Sequence, residues 1–73
     1  MFDYSNLITE AMQYVDEKIE TITPKSIDRN RLHNRIHKQI VANIKRIALL
    51  EHDAVYKEID NIFSTQLIEE LLR

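Results

Sequence analysis

Two histidines are spaced so that a helix would let them bind one ion together. His33 and His37 are four residues apart, so both rings of a helical segment can reach one point, as two zinc ligands must. A complete site needs a third and preferably a fourth ligand, and only Glu51 and His52 follow nearby in the sequence. The run HNRIH also lacks the glutamate that serves as general base in HExxH. We therefore expect His33 and His37 to lie at an interface or at the edge of the core. We predict no metal and no other cofactor.

Groups for nucleophilic catalysis are scarce. The chain has no cysteine, and Ser5, Ser26 and Ser64 lie where helix capping or a turn explains them. It also has no glycine, which argues against a loop that cradles phosphates. A single chain of 73 residues has little room for a pocket of several hundred Å³. We predict that the protein is not an enzyme.

The largest group of functional side chains is a set of cations within residues 26–50. At about 100° per residue, a helix gathers on one side the basic residues Arg31, Arg35, Lys38, Lys45 and Arg46. Such a face could follow a phosphate backbone. However, the isoelectric point is near 5.9, and the aromatic residues are not interleaved with the cations as base stacking would require. Three interpretations remain open: pairing with acidic segments of the same chain, binding of nucleic acid, and binding of an acidic protein.

The net charge of −2 conceals an uneven distribution. Residues 1–24 carry five acidic side chains and one basic, a net −4, and residues 47–73 carry six acidic and two basic, again −4. Residues 25–46 carry seven basic side chains and one acidic, a net +6. A basic middle between two acidic ends suits attraction between the segments as well as attraction to a partner.

Four helical segments must position these groups. The absence of glycine and the amphipathic spacing of apolar residues predict an all-α chain, with helices at about 3–22, 26–50, 54–63 and 65–72. Asp3 or Ser5 could cap the first helix, which ends at Pro24 because proline cannot continue the hydrogen-bond ladder. Either Thr23 or Ser26 would then cap the second helix. A connection of a few residues makes these two helices antiparallel.

Two changes in the apolar side mark the later boundaries. The apolar side of the second helix is formed by Leu32, Ile36, Ile40, Ile44, Ile47 and Leu50, and that of residues 55–62 is rotated from it by about 90°. We predict a break at residues 51–53 with Asp53 as the next N-cap, with one long helix as the competing interpretation. A second change follows Ser64 and Thr65, after which the tail is either the end of the third helix or a short separate one.

The tail predicts self-association. Its apolar residues are Leu67, Ile68, Leu71 and Leu72. A helical hairpin has no remaining apolar surface against which these side chains could be buried. Full burial of such a side chain is worth about 1.5–3 kcal/mol, so we expect them to form an oligomer interface, with two copies related by a two-fold axis.

Together these patterns predict one domain over residues 1–73: a small antiparallel helical bundle completed by oligomerisation. We expect a non-enzymatic interaction module, such as a small regulator, inhibitor or adaptor, that binds a protein partner. The alternative is nucleic-acid binding through the basic face. Because no apolar run approaches the roughly 20 residues that cross a bilayer, we expect no membrane partner and a cytoplasmic location.

Overall fold

The computed structural model describes residues 3–73. The first two residues of the predicted domain lie outside this range. Within it the chain is all-helical, as predicted, with the elements α1 (Ser5–Ile22), α2 (Arg29–Ala42), α3 (Ile44–Ile47) and α4 (His52–Leu71). The described part measures 40 × 20 × 19 Å. The predicted completion by oligomerisation stays a prediction.

The turn between α1 and α2 follows from proline and from one capping aspartate. Thr23 is extended, with φ −91° and ψ 142°, because Pro24 excludes helical angles from the residue before it. Helix α2 then begins after Asp28, whose side chain accepts a hydrogen bond of 3.0 Å from the backbone N–H of Arg31. Our prediction that Thr23 or Ser26 caps this helix is therefore wrong. The Asp28 carboxylate accepts an otherwise unpaired N–H and places a negative charge at the N-terminus of the helix, and both effects are stabilising.

The helix predicted over residues 26–50 is interrupted at Asn43. The side-chain amide of Asn43 donates to the Gln39 carbonyl at 2.7 Å, where the backbone N–H of Asn43 also donates at 3.2 Å. Asparagine competes in this way with regular helical bonding. The four-residue helix α3 follows, and both of its isoleucines, Ile44 and Ile47, are buried. The core therefore continues past the interruption.

Helix α4 runs without a break through Ser64 and Thr65, where we predicted a boundary. It starts at His52, so Asp53 lies in its first turn instead of capping it. Both Ser64 and Thr65 are exposed, so their hydroxyls remain in water and do not disturb the helix. The inward side of α4 carries Ile59, Phe63, Gln66 and Glu70, at the spacing expected of one continuous helix.

A single cluster of buried apolar side chains joins all four helices. Helices α1, α2 and α4 contact one another in every pair. The cluster consists of Ala11, Met12, Val15, Ile19, Leu32, Ile36, Ile40, Ile44, Ile47, Ile59 and Phe63. Helix α2 is central to it, because Leu32, Ile36 and Ile40 are fully buried.

Two adjacent residues of α2 test this packing. Ile40 is fully buried, whereas Val41 is 42% exposed. We expect Ile40→Ala to lower the free energy of unfolding by about 2–5 kcal/mol, through lost burial and a cavity. The matched control Val41→Ala should change it by no more than about 0.5 kcal/mol. Urea unfolding followed by circular dichroism measures both, and equal effects would contradict the assigned core.

Candidate interaction surfaces

Three of the five predicted basic residues donate to side chains of α4. Arg31 Nε lies 2.6 Å from Glu70 Oε1 and 3.1 Å from Oε2. Arg35 Nε donates to Gln66 Oε1 at 2.9 Å, and its guanidinium also pairs with Glu69. Because the numbers rise along α2 as they fall along α4, the two helices run in opposite directions.

Glu70 is the buried carboxylate of this set, with a side chain only 1% exposed. A buried carboxylate is costly unless it is paired and hydrogen-bonded. The hydrogen bond from Arg31 has the largest effect on the pKa of Glu70 and, with the charges of Arg31, Arg73 and Arg35, outweighs the opposing effect of burial. The pKa of Glu70 is therefore lowered, and the carboxylate stays ionised.

Arg46 is the third of these donors, and the remaining two basic residues of the five are Lys38 and Lys45. Arg46 Nη2 donates to Glu58 Oε1 at 3.1 Å, and this hydrogen bond is the main reason that the pKa of Glu58 is lowered. Lys38 and Lys45 are exposed and form no ion pair with any residue that the structure describes. Three of the five cations thus face carboxylates of α4, and two remain in solvent.

The apolar tail is divided between the core and the surface. Leu67 packs against the core cluster, but Ile68, Leu71 and Leu72 are 55%, 53% and 82% exposed. Ile68 and Leu71 lie in the last turn of α4, and Leu72 is its C-cap. We call these three residues the tail surface. The structure thus leaves an apolar surface without Leu67 at one end of the molecule, and the oligomer interface predicted from these four residues stays a prediction.

A small apolar dimple lies at the other end of α4, where α4 contacts α1. Its volume is about 60 Å³. The lining residues are Leu7, Glu10, Ala11, His52, Val55, Tyr56 and Ile59. Leu7 and Val55 are only half-buried, so apolar surface borders the opening.

A polar cluster between α1 and α4 was not predicted. Asp60 accepts hydrogen bonds from Lys18 Nζ at 2.6 Å and from the Tyr14 hydroxyl at 2.7 Å. The Lys18 ammonium also lies 4.9 Å from the centre of the Phe63 ring, within the range of a cation–π contact. Burial is the largest single influence on the pKa of Asp60 and would raise it, but the hydrogen bonds from Lys18 and Tyr14 and the charge of Lys18 lower it overall. The cluster fixes the position of α4 against α1.

The paired histidines are stacked on each other. The rings of His33 and His37 are nearly parallel, with centres 6.5 Å apart. His33 Nδ1 lies 2.6 Å from Asp16 Oδ1, which links α2 to α1. Among residues 3–73 there is no group of three or more histidine, cysteine or acidic side chains that could hold a metal ion.

Sequence analysis missed the contacts that join distant residues. Lys18 and Asp60 are 42 positions apart, and Tyr14 and Asp60 are 46 apart. One signal was present, because Lys18 is the single base among residues 1–24 and lies one helical turn from Tyr14. Nothing in the sequence indicated which carboxylate would meet it. The dimple had no sequence signal, since its lining comes from both ends of the chain.

Comparisons with protein-family models, with curated proteins and with solved structures found no significant match. None of the helices formed by the described residues has the length and apolar character needed to span a membrane.

The lowered pKa of Glu70 predicts a specific loss of stability in acid. The pKa is below its ordinary 4.5 in the folded chain and returns to that value on unfolding. The ionised carboxylate therefore stabilises the fold above the unfolded pKa, and this contribution is lost as the pH falls through the lower, folded pKa. We expect Glu70→Gln to lower the urea midpoint at pH 7, with the difference from the parent protein shrinking towards pH 3.

The control for this experiment is Glu17→Gln, which removes an exposed carboxylate of α1. Its urea midpoint should follow that of the parent protein throughout. A Glu70→Gln difference that stayed constant from pH 7 to pH 3 would show that the charge of Glu70 contributes nothing to stability.

Proposed function

We propose that this chain is a non-enzymatic interaction module, a small regulator, inhibitor or adaptor, that acts by binding a protein partner through the tail surface. The observation that carries the proposal is the exposure of Ile68, Leu71 and Leu72 at 55%, 53% and 82%. Their i, i+3, i+4 spacing is the pattern with which an amphipathic helix enters an apolar groove.

The physical benefit of covering this surface is large for so small a domain. Full burial of a leucine or isoleucine is worth about 1.5–3 kcal/mol, and the whole stability of a domain below 70–80 residues is about 3–5 kcal/mol. Glu69 lies between Ile68 and Leu71 in the sequence, Arg73 follows Leu72, and both charged residues are exposed. An apolar centre with a polar rim is the usual composition of a protein–protein interface.

Support for a non-enzymatic role comes from the carboxyl groups. The resolved pKa shifts of Glu58, Asp60 and Glu70 are all downward, and each of these groups is paired with a cation from another helix. A carboxyl that serves as general acid or base is usually tuned upward, towards neutral pH. The three carboxylates are therefore better suited to holding helices together than to acid–base catalysis.

We also propose that the same surface brings copies of the chain together as a homo-oligomer. The sequence predicted this from four residues, of which Leu67 is partly buried against the core cluster. Ile68, Leu71 and Leu72 carry the revised proposal.

Capture experiments test the tail surface as a binding site. We expect the tagged full chain to retain a protein partner from the cells that produce it, and the double variant Leu71→Glu/Leu72→Glu to lose that partner. The matched control is Val41→Glu, which adds a charge to an exposed apolar residue of α2 and should bind as the parent does. Equal capture by the double variant would refute the tail surface, and circular dichroism checks that all variants fold.

Nucleic-acid binding is the second candidate, and one observation favours it. Lys38 and Lys45 remain exposed and unpaired within the described residues, and they lie seven residues apart, on α2 and α3. Against it, the carboxylates of Glu58, Glu69 and Glu70 lie beside the arginines of the predicted face and would repel phosphate. Electrostatic attraction to the two lysines would therefore contribute only weakly to the free energy of nucleic-acid binding.

Salt dependence separates this alternative from the protein-binding proposal. With two phosphate contacts to duplex DNA, the logarithm of the association constant should fall with the logarithm of salt concentration at a slope of about −1.8. Lys38→Glu/Lys45→Glu should abolish binding in fluorescence anisotropy, whereas Lys57→Glu on the exposed side of α4 should not. If neither DNA nor RNA binds at low salt, this candidate is excluded.

A further inference from the structure

The two unpartnered apolar features lie at opposite ends of the molecule. The dimple includes His52 and Val55 from the first turn of α4, and the tail surface includes Leu71 and Leu72 at its end. A helix of 20 residues separates its ends by about 30 Å. One chain therefore cannot place its own tail surface in its own dimple, but a second copy can.

The dimple suits a single apolar side chain. Its volume of about 60 Å³ is far below the 300–1,000 Å³ or so of sites that enclose small molecules. The wall is mostly apolar, and Glu10 and His52 are the polar residues in its lining. A protruding leucine such as Leu72, which is 82% exposed, has the chemistry that this wall can bury.

Charges at the two ends are complementary. At the dimple end, Glu10 lines the opening, and Glu51 and Asp53 flank His52. All three acids are exposed, and the exposed Lys57 one turn further along α4 offsets them only in part. The acids make the dimple a favourable site for a cationic partner.

Cations predominate at the tail end, where the carboxylate of Glu69 is paired with Arg35. Arg73 shares a surface cavity with Leu71, and Lys25 and Arg29 lie in and after the turn between α1 and α2, both exposed. The carboxylate of Asp28 in the same turn is engaged in capping α2. Pairing two tail ends about a two-fold axis would bring like charges together and leave the dimple empty.

We propose that the tail surface of one copy docks in the dimple of a second copy, so that chains associate head to tail. This rests on the proposed function of the tail surface and names its partner as another copy of the same chain. The contact is heterologous, so each added copy leaves one dimple and one tail surface available, and the assembly grows linearly. It replaces the two-fold pairing that the sequence predicted.

Sedimentation of the purified full chain is the first test. We expect the mean mass to rise beyond that of a dimer as concentration increases towards millimolar, and to fall at high salt because opposite charges are screened. Leu71→Glu/Leu72→Glu should weaken association about tenfold to a hundredfold for each leucine lost. The Val41→Glu control, on a helix that does not line the dimple, should associate normally.

Mixing two defective variants is the decisive test. Glu10→Lys places a cation at the dimple and changes an exposed residue, and Leu7→Lys/Glu10→Lys is a stronger form if the single change is too mild. The leucine double variant and the dimple variant should each be monomeric alone. Mixed together, they should form a dimer that grows no further, because one intact tail surface and one intact dimple remain.

Other outcomes of these experiments would contradict the head-to-tail arrangement. A dimple variant that still dimerises, with no heterodimer on mixing, would show two-fold pairing and overturn the head-to-tail arrangement. A wild-type chain that stays monomeric at millimolar concentration would also overturn it. In that case, capture of a partner that the Leu71→Glu/Leu72→Glu variant loses would leave the proposed function standing, and equal capture by that variant would refute both proposals.

Discussion

The inward side of α4 is the constraint on which the rest of the structure depends. Ile59 and Phe63 fix this side against the core, and an uninterrupted helix then turns Gln66 and Glu70 inward as well. Two polar side chains therefore occupy positions that apolar ones would fill more easily. They are tolerated because Arg31 and Arg35 of α2 supply the donors that a buried carboxylate and amide need.

The same constraint explains the exposed apolar tail. Ile68 and Leu72 lie two residues beyond Gln66 and Glu70, on the opposite side of the helix. Once the polar pair turns inward, these apolar residues must face solvent, and they do. The ion pairs between α2 and α4 and the unpartnered tail surface are therefore two consequences of one helical register.

Ion pairs between helices have a second consequence, which concerns partners. The basic middle of the sequence suggested a phosphate-binding face, but three of the five cations of that face are directed at carboxylates of the same chain. Arg31, Arg35 and Arg46 each meet a glutamate of α4, while Lys18 on α1 meets Asp60. The electrostatic complementarity of these residues is thus internal, which is why our proposals place the contact with another macromolecule at the apolar ends.

The sequence by itself determined that the chain is helical and where α1 ends, since the lack of glycine, the apolar periodicity and Pro24 are local properties. It also located the change of apolar side near Ser64 and Thr65, but it could not say whether the helix breaks there or continues with polar residues inside. Only the tertiary structure decided that, because the donors come from α2, more than thirty positions away. The dimple and the Lys18–Asp60 pair were likewise decided by long-range packing, which periodicity does not encode.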